Sequence, residues 1–346
     1  ISAFIIIVPQ NLHNTLSSND FITYMGVGIS DLRIDIQQTD NIPERASEIA
    51  AAMENDNAIA NYVVLTTKTY SVKTEDGSAE RIKVELGDHS VFPLAYAAGR
   101  APAENNEIAL SVMNADELGK TVGDVILIMI GGEERAFTVS GIYADITNGG
   151  KTAKAVFSDP SPETMWSVIS AELTDASLVD TKVAEYAGWF EYAKVSNIDE
   201  YIMQTYGATI RAIGKAAYAA IVVALTITVL ITLLFMKMLV AKDRHEIAVL
   251  KAFGYTNSDV KAQYVARSVF VLVLGISLGT LLANTLGEAL TGSVLASFGA
   301  SSFDFVVNPL VAYLISPGLM VIAVLMATIF GTRDAAQVNI SQNIKE

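Results

Sequence analysis

The chain has 346 residues, 51% of them hydrophobic, a net charge of −14 and no cysteine. Disulfides and thiolate chemistry are excluded, and the acidity argues against nucleic acid or an anionic lipid surface as partner. The charge is unevenly placed: residues 1–215 hold 30 Asp and Glu against 15 Lys and Arg, and residues 216–346 hold 7 against 8, so an acidic water-facing part precedes a nearly neutral one.

Ile1 to Val8 is apolar apart from Ser2 and is followed by Pro9. It is too short to span a bilayer and is expected to be the end of a first transmembrane helix (residues 1–9) whose start lies outside this sequence. Residues 10–210 are expected to form one large α+β domain. Leu32, Ile34 and Ile36 alternate with Arg33 and Asp35, the period of a strand with one buried face. Asp40 to Pro43 can open a helix with Ala46, Ile49, Ala50 and Met53 on one face. Tyr62–Val72 and Arg81–Leu86 read as strands around a turn at Glu75–Ser78, and Val125–Ile130 pairs with Ala136–Ile142 across Gly131-Gly132. Asp175–Tyr192 reads as a helix, and Asn197–Lys215 as another that runs without a breaker into the membrane part.

Asn148-Gly-Gly-Lys-Thr152 ends like a phosphate-binding loop, but the full motif needs glycine at position 145, where Asp145 stands. His13, His89 and His245 are too scattered for a metal cluster. With no nucleophile beside a plausible base, no catalytic residue, cofactor site or metal site is expected.

Ala216 to Met236 is twenty-one residues without a charge, about 30 Å as a helix, with residues 211–215 as its stalk. Further spans are expected at residues 268–287 and 309–332, the last with Pro317 as a kink. The loop 237–267 carries six Lys and Arg against three Asp and Glu, and 288–308 carries no Lys or Arg. The positive-inside rule therefore places 237–267 and the tail 333–346 in the cytoplasm, with 288–308 and the acidic domain outside. Small residues recur every four positions at Gly275, Gly279, Ala283 and Gly287, and again from Ala216 to Thr232, a spacing for close helix packing in lipid. No charge lies within a span, so energy is expected from another subunit.

Within the cytoplasmic loop, Ile247, Leu250 and Phe253 fall at i, i+3 and i+6 of a short helix, with Arg244 and Lys251 on another face. Gly254 can stop this helix, and Thr256 to Asp259 has the capping-box form that starts the next.

The run Arg244-x-Glu246-Ile-Ala-Val-Leu-Lys-Ala-Phe-Gly254 after a span resembles the cytoplasmic signature of FtsX-like, MacB-type ABC transporter permeases. The order Gly99-Arg-Ala-Pro102, Asn106-Glu-Ile-Ala-Leu-Ser111, Leu118-Gly119, Gly123-Asp124 and Val139-x-Gly-Ile142 is similar to the core of that family's extracytoplasmic domain. The resemblance implies a plasma-membrane permease of four spans, the first truncated, with a large α+β extracytoplasmic domain. It further implies that Arg244, Glu246, Ile247, Leu250, Lys251, Phe253 and Gly254 dock on a separate ABC ATPase, which holds the ATP and Mg, and that a second permease copy or a related permease completes the unit. Three functions fit: export or extraction of a peptide, antibiotic, lipid or lipoprotein; mechanical signalling to an extracytoplasmic partner such as a cell-wall hydrolase; and ligand sensing by a domain on a membrane anchor.

Overall fold

A computed structural model describes residues 1–37, 39–74, 79–161, 163–300 and 303–337. The turn expected at Glu75–Ser78 and the tail beyond residue 337 lie outside the described residues. The chain divides into a helical unit (residues 1–17, 209–291 and 304–346) and a sheet unit (18–208 and 292–303).

Among the described residues of the sheet unit, ten strands follow the order β10-β1-β9-β2-β3-β8-β5-β7-β4, with β6 bonded to β2 and β7. They are β1 (Leu32–Ile36), β2 (Ile59–Lys73), β3 (Ala79–Leu86), β4 (Tyr96–Gly99), β5 (Glu107–Ser111), β6 (Val125–Ile130), β7 (Glu133–Tyr143), β8 (Thr152–Ala155), β9 (Trp166–Leu173) and β10 (Lys194–Asn197). Because β6 returns to the far end of β2 at Ser71–Lys73, the strands β2-β3-β8-β5-β7-β6 close into a ring. Val72, Val84, Ile108, Leu110, Ile128 and Val139 fill a core with Ala115 and Leu118 of α3 (Val112–Leu118). A second core joins Leu32, Ile34, Ile36 and Ile169 to α2 (Ile42–Glu54) and α4 (Val179–Trp189).

The sequence patterns account for these elements. Pro43 sits in the first turn of α2, after Asn41 in the left-handed region, and Ala46, Ile49 and Met53 face inward. Gly131 and Gly132, with φ of 60° and 89°, make the two-residue turn between β6 and β7. Gly99 lies against Gly141, where a Cβ would meet the Gly141 Cα at 2.9 Å; only glycine permits this approach of β4 to β7. Arg100 grips Glu107 at 2.5 Å, and Glu107 also accepts from the Ala103 and Glu104 amides, so the Gly-Arg-x-Pro and Asn-Glu motifs close one loop. The helix expected at 175–192 is shorter: a 3-10 turn at Ala176–Leu178 precedes α4, which ends at Trp189, and Lys194–Asn197 is a strand.

α5 runs unbroken from Ile198, in the sheet unit, to Lys242, in the helical unit, and α6 spans Arg244–Ala252. α7 (Asn257–Leu282) continues through a π-helical segment (Ala283–Gly287) into α8 (Glu288–Ala296), so helix replaces the first part of the loop expected at 288–308. A second π segment (Val311–Ile315) precedes α9 (Ser316–Gly331); the irregularity expected at Pro317 is taken up there, and Pro317 itself sits in the first turn of α9. Among the described residues, three helices are long and apolar enough to cross a membrane: Ile198–Lys242, Asn257–Ala296 and Val311–Ala336. α1 (Ser2–Leu16) has 15 residues and does not stop at Pro9, because its neighbours hold both halves: Thr228 donates to Ser2 at 2.8 Å and Asn11 to Asn284 at 2.8 Å.

Gly279 meets α1 so closely that a Cβ would lie 2.7 Å from the Ala3 Cβ; Gly287 faces Val8 and Phe4, and Ala283 is buried between them. Gly275 has open space beside it, so it does not share in this packing. The small residues thus do the packing that a hydrophobic effect cannot do in lipid.

Candidate partner-docking helix and a polar sheet face

α6 stands between the two long helices α5 and α7 and is fixed at both ends. Tyr264 donates to Asp243 at 3.0 Å, and Arg267 lies 3.6 Å from the same carboxylate. At the other end the Gly254 amide donates to Lys251 O and the Tyr255 amide to Leu250 O, with Gly254 at φ 94°, a Schellman closure. Thr256 and Asp259 then form the capping box of α7, side chain to backbone in both directions.

The three apolar residues expected on one face are divided. Ile247 is 1% exposed and packs with Ala248, Met236, Val240, Val260, Tyr264 and Ala335. Phe253 is 80% exposed, and Leu250 is partly buried. The expectation that Ile247 joins a partner-facing stripe is therefore corrected: it anchors α6 to its own chain, because that surface is already covered by α5, α7 and Ala335. Lys251 is not a flank of the exposed face either, since its Nζ donates to Ala335 O at 2.9 Å and to Ala336 O at 3.3 Å. Arg244, Glu246, Phe253 and Gly254 are exposed.

A second feature was not anticipated. Arg33 and Asp35, on the strand face expected to meet water, are 12% and 10% exposed in their side chains and paired at 2.8 Å. The registers Thr67↔Trp166, Thr67↔Glu85, Glu85↔Lys154 and Lys83↔Thr152 put Trp166, Glu85, Lys83, Lys154 and Thr152 on this same face. One sheet face is thus aliphatic, and the other carries charge beneath a cover that includes Gly26, Val27, Asp145 and Tyr201. Rings lie beside its cations: Tyr201 is 4.1 Å from Arg33, Tyr143 5.2 Å from Lys154 and Trp166 5.5 Å from Lys83.

Burial works against the charge of Glu85, yet the cations Lys154 and Arg33 outweigh it and hold this carboxyl below its ordinary range. His89 donates from Nε2 to the Glu85 carbonyl at 3.0 Å; burial, then Lys154, push it down to about 4, so it is neutral. Burial raises Asp145 despite hydrogen bonds from Thr147 and Thr152. The alternation in β1 was visible in sequence, but the signal for a covered polar face is only the repeated charge at every second position of β1 and β3, which reads equally as solvent exposure.

Lys151, the decoy phosphate-loop lysine, pairs with Glu117 at 2.5 Å. No group of His, Asp or Glu among the described residues could hold a metal ion.

Residues 218–340 match the family model "FtsX-like permease C-terminal". No curated protein matches the chain. Among solved structures, the chain is similar to the periplasmic region of MacB from Actinobacillus actinomycetemcomitans at 12% identity and a TM-score of 0.37, over 53% of this chain and 94% of that one. It is also similar to the extracellular domain of the noncanonic ABC-type transporter YknZ from Gram-positive bacteria, at 15% identity and a TM-score of 0.34, over 48% and 99%. A domain of a permease protein from Porphyromonas gingivalis follows at 14% and 0.32, over 49% and 89%. Residues 218–340 thus resemble the C-terminal domain of FtsX-like permeases, and among the described residues three helices are long and apolar enough to cross a bilayer, as in a membrane protein.

Proposed function

We propose that this chain is the permease subunit of an ABC transporter, coupling ATP hydrolysis in a separate ATPase to movement of an extracytoplasmic sheet unit for export or extraction of a peptide, antibiotic, lipid or lipoprotein. The observation that carries this reading is α6: a helix clamped to its own chain through Ile247 and Ala248, with Phe253 left 80% exposed. An exposed phenylalanine on a rigid, charged helix is the anatomy of a docking knob with Arg244 and Glu246 as its rim. The sheet unit is taken as extracytoplasmic because the cationic loop is 237–267. The unbroken α5 is the element through which motion would pass, since a continuous helix transmits rotation and tilt. A second permease copy or a related permease is taken as partner from the resemblance of residues 218–340 to FtsX-like permeases.

Burial of Phe253 in a partner groove would contribute about 1.5–3 kcal/mol, and about 1.4 kcal/mol is tenfold in affinity. Phe253→Asp is expected to reduce co-purification of the ATPase at least tenfold, with Leu250→Asp acting in the same direction. Lys251→Ala is expected to retain the partner. Wild-type recovery of the ATPase with Phe253→Asp would remove the docking assignment. Stimulation of the complex's ATPase by an extracytoplasmic protein alone, and by no small substrate, would replace transport by mechanical signalling.

A further inference from the structure

The charged face of the sheet unit opens at one end into a cleft of about 760 Å³ whose lining includes Arg33, Asp35, Trp166, Glu191, Lys194 and Tyr201. Nothing in the docking of α6 uses it. Its polar atoms are unequal. Asp35 is occupied by Arg33, which gives it Nε and Nη2. Among the described residues, Nη1 of Arg33 meets no acceptor, and neither do the Trp166 indole N–H, the Tyr201 hydroxyl and the Lys194 ammonium. These four groups are donors, and apart from the Tyr201 oxygen they are donors only. The exposed Glu191 is the single unengaged carboxylate in the lining. The inequality stands out in a chain with 37 Asp and Glu against 23 Lys and Arg.

Two rings accompany the donors. Trp166 lies near the Lys83 ammonium and Tyr201 over the Arg33 guanidinium, so both cations are held beside the rings rather than free to rearrange. Cation and ring in fixed relation provide one place for an oxyanion and another for an apolar body. Neutral acceptors such as Gln37 and Thr205 also line the cleft, but the cationic groups without an acceptor, Arg33 Nη1 and Lys194, gain more from an anion than from a sugar or a neutral peptide.

We propose that this cleft binds an organic oxyanion, a carboxylate or phosphate joined to an aromatic or aliphatic body, with Arg33, Lys194 and Tyr201 at the anion and Trp166 at the body. The site lies wholly within the sheet unit and is independent of the ATPase contact.

The chain has two tryptophans, and Trp189 is 55% exposed outside the cleft, so Trp189→Phe leaves Trp166 as the only indole reporter. The chain in detergent is titrated with 3-phenylpropionate, phenyl phosphate, 3-phenylpropanamide and inorganic phosphate while Trp166 emission is followed. A saturable change with 3-phenylpropionate or phenyl phosphate, and none with the amide, is expected; the better of the two anions identifies the oxyanion. Lys194→Gln and Tyr201→Phe, neither of which removes a protein contact, should each weaken that binding roughly three- to fivefold. The amide binding as well as the acid, no saturable change with either anion, or unaltered affinity in both variants overturns the proposal. Equal affinity for inorganic phosphate and phenyl phosphate overturns the role of Trp166.

Discussion

In the sheet unit the fully buried side chains include Ile34, Val84, Ile108 and Tyr186; in the helical unit Ala224, Ala283, Thr328 and Thr332 are buried, while Leu234, Phe270, Leu278 and Ile322 are more than half exposed. The two regions obey the same packing rule in different solvents. Water drives large apolar side chains inward, so the sheet unit spends its Ile, Val and Leu on two cores and can still carry ionised pairs on its second face. Lipid supplies no such drive, so the helices approach closely at glycine, alanine and short hydroxyls, and Ile6, Ile7, Leu272, Met320 and Val324 interlock around those contacts. Polar contacts differ accordingly. The helical unit joins neutral groups, Thr328 to Ser268 at 3.0 Å and Asn11 to Asn284 at 2.8 Å, whereas the sheet unit buries the ions Lys154 and Glu85.

The contrast is broken most severely at the ion pair. Lys154→Met leaves Glu85 buried without its cation and should cost about 3–5 kcal/mol in denaturant unfolding followed by tryptophan emission, with much of the loss recovered in Lys154→Met/Glu85→Leu. A loss below about 1 kcal/mol would mean that water already solvates this face.

His89 provides the next largest effect. Its folded pKa of about 4 lies below the ordinary 6.5, so between these values the unfolded chain binds the extra proton. Stability should be full above pH 6.5 and fall as pH drops to about 4, by on the order of 3 kcal/mol. Glu85, held low in the fold, adds a further loss in more acidic solution. His89→Gln, melted across the same range, should flatten the upper part of the profile; an unchanged profile would acquit His89.

Packing in the helical unit is tested by a matched pair. Gly279→Leu must push against Ala3 and should cost about 1–3 kcal/mol, whereas Gly275→Leu enters open space and should leave unfolding in mixed detergent unchanged. Equal effects at both positions would show that the stripe acts through glycine's flexibility rather than its size. The smallest change belongs to Thr328→Val, which deletes the bond to Ser268 and should cost about 0.6 kcal/mol, the scale of neutral hydrogen bonds in membranes.

Local chemistry was legible in the chain itself. The alternation in β1, the Gly131-Gly132 turn, the Gly254 stop, the Thr256 capping box and the long apolar runs each depend on neighbours within a few residues, and each stands where its pattern indicates. Which side of an element is covered is settled by residues far away in sequence. Ile247 and Phe253 have the same helical periodicity, yet Met236, Tyr264 and Ala335 cover one and leave the other open. Arg33 and Asp35 have the alternation of a solvent face, yet Tyr201 stacks on Arg33 and the face is enclosed. Pro9 looks like a helix end, but α1 passes through it where other helices hold both halves. Periodicity fixes how side chains divide between two faces; only the pairing of β6 with β2, the return of α9 beside α5 and the first turns of α5 decided which of those faces would be left to a partner or a ligand.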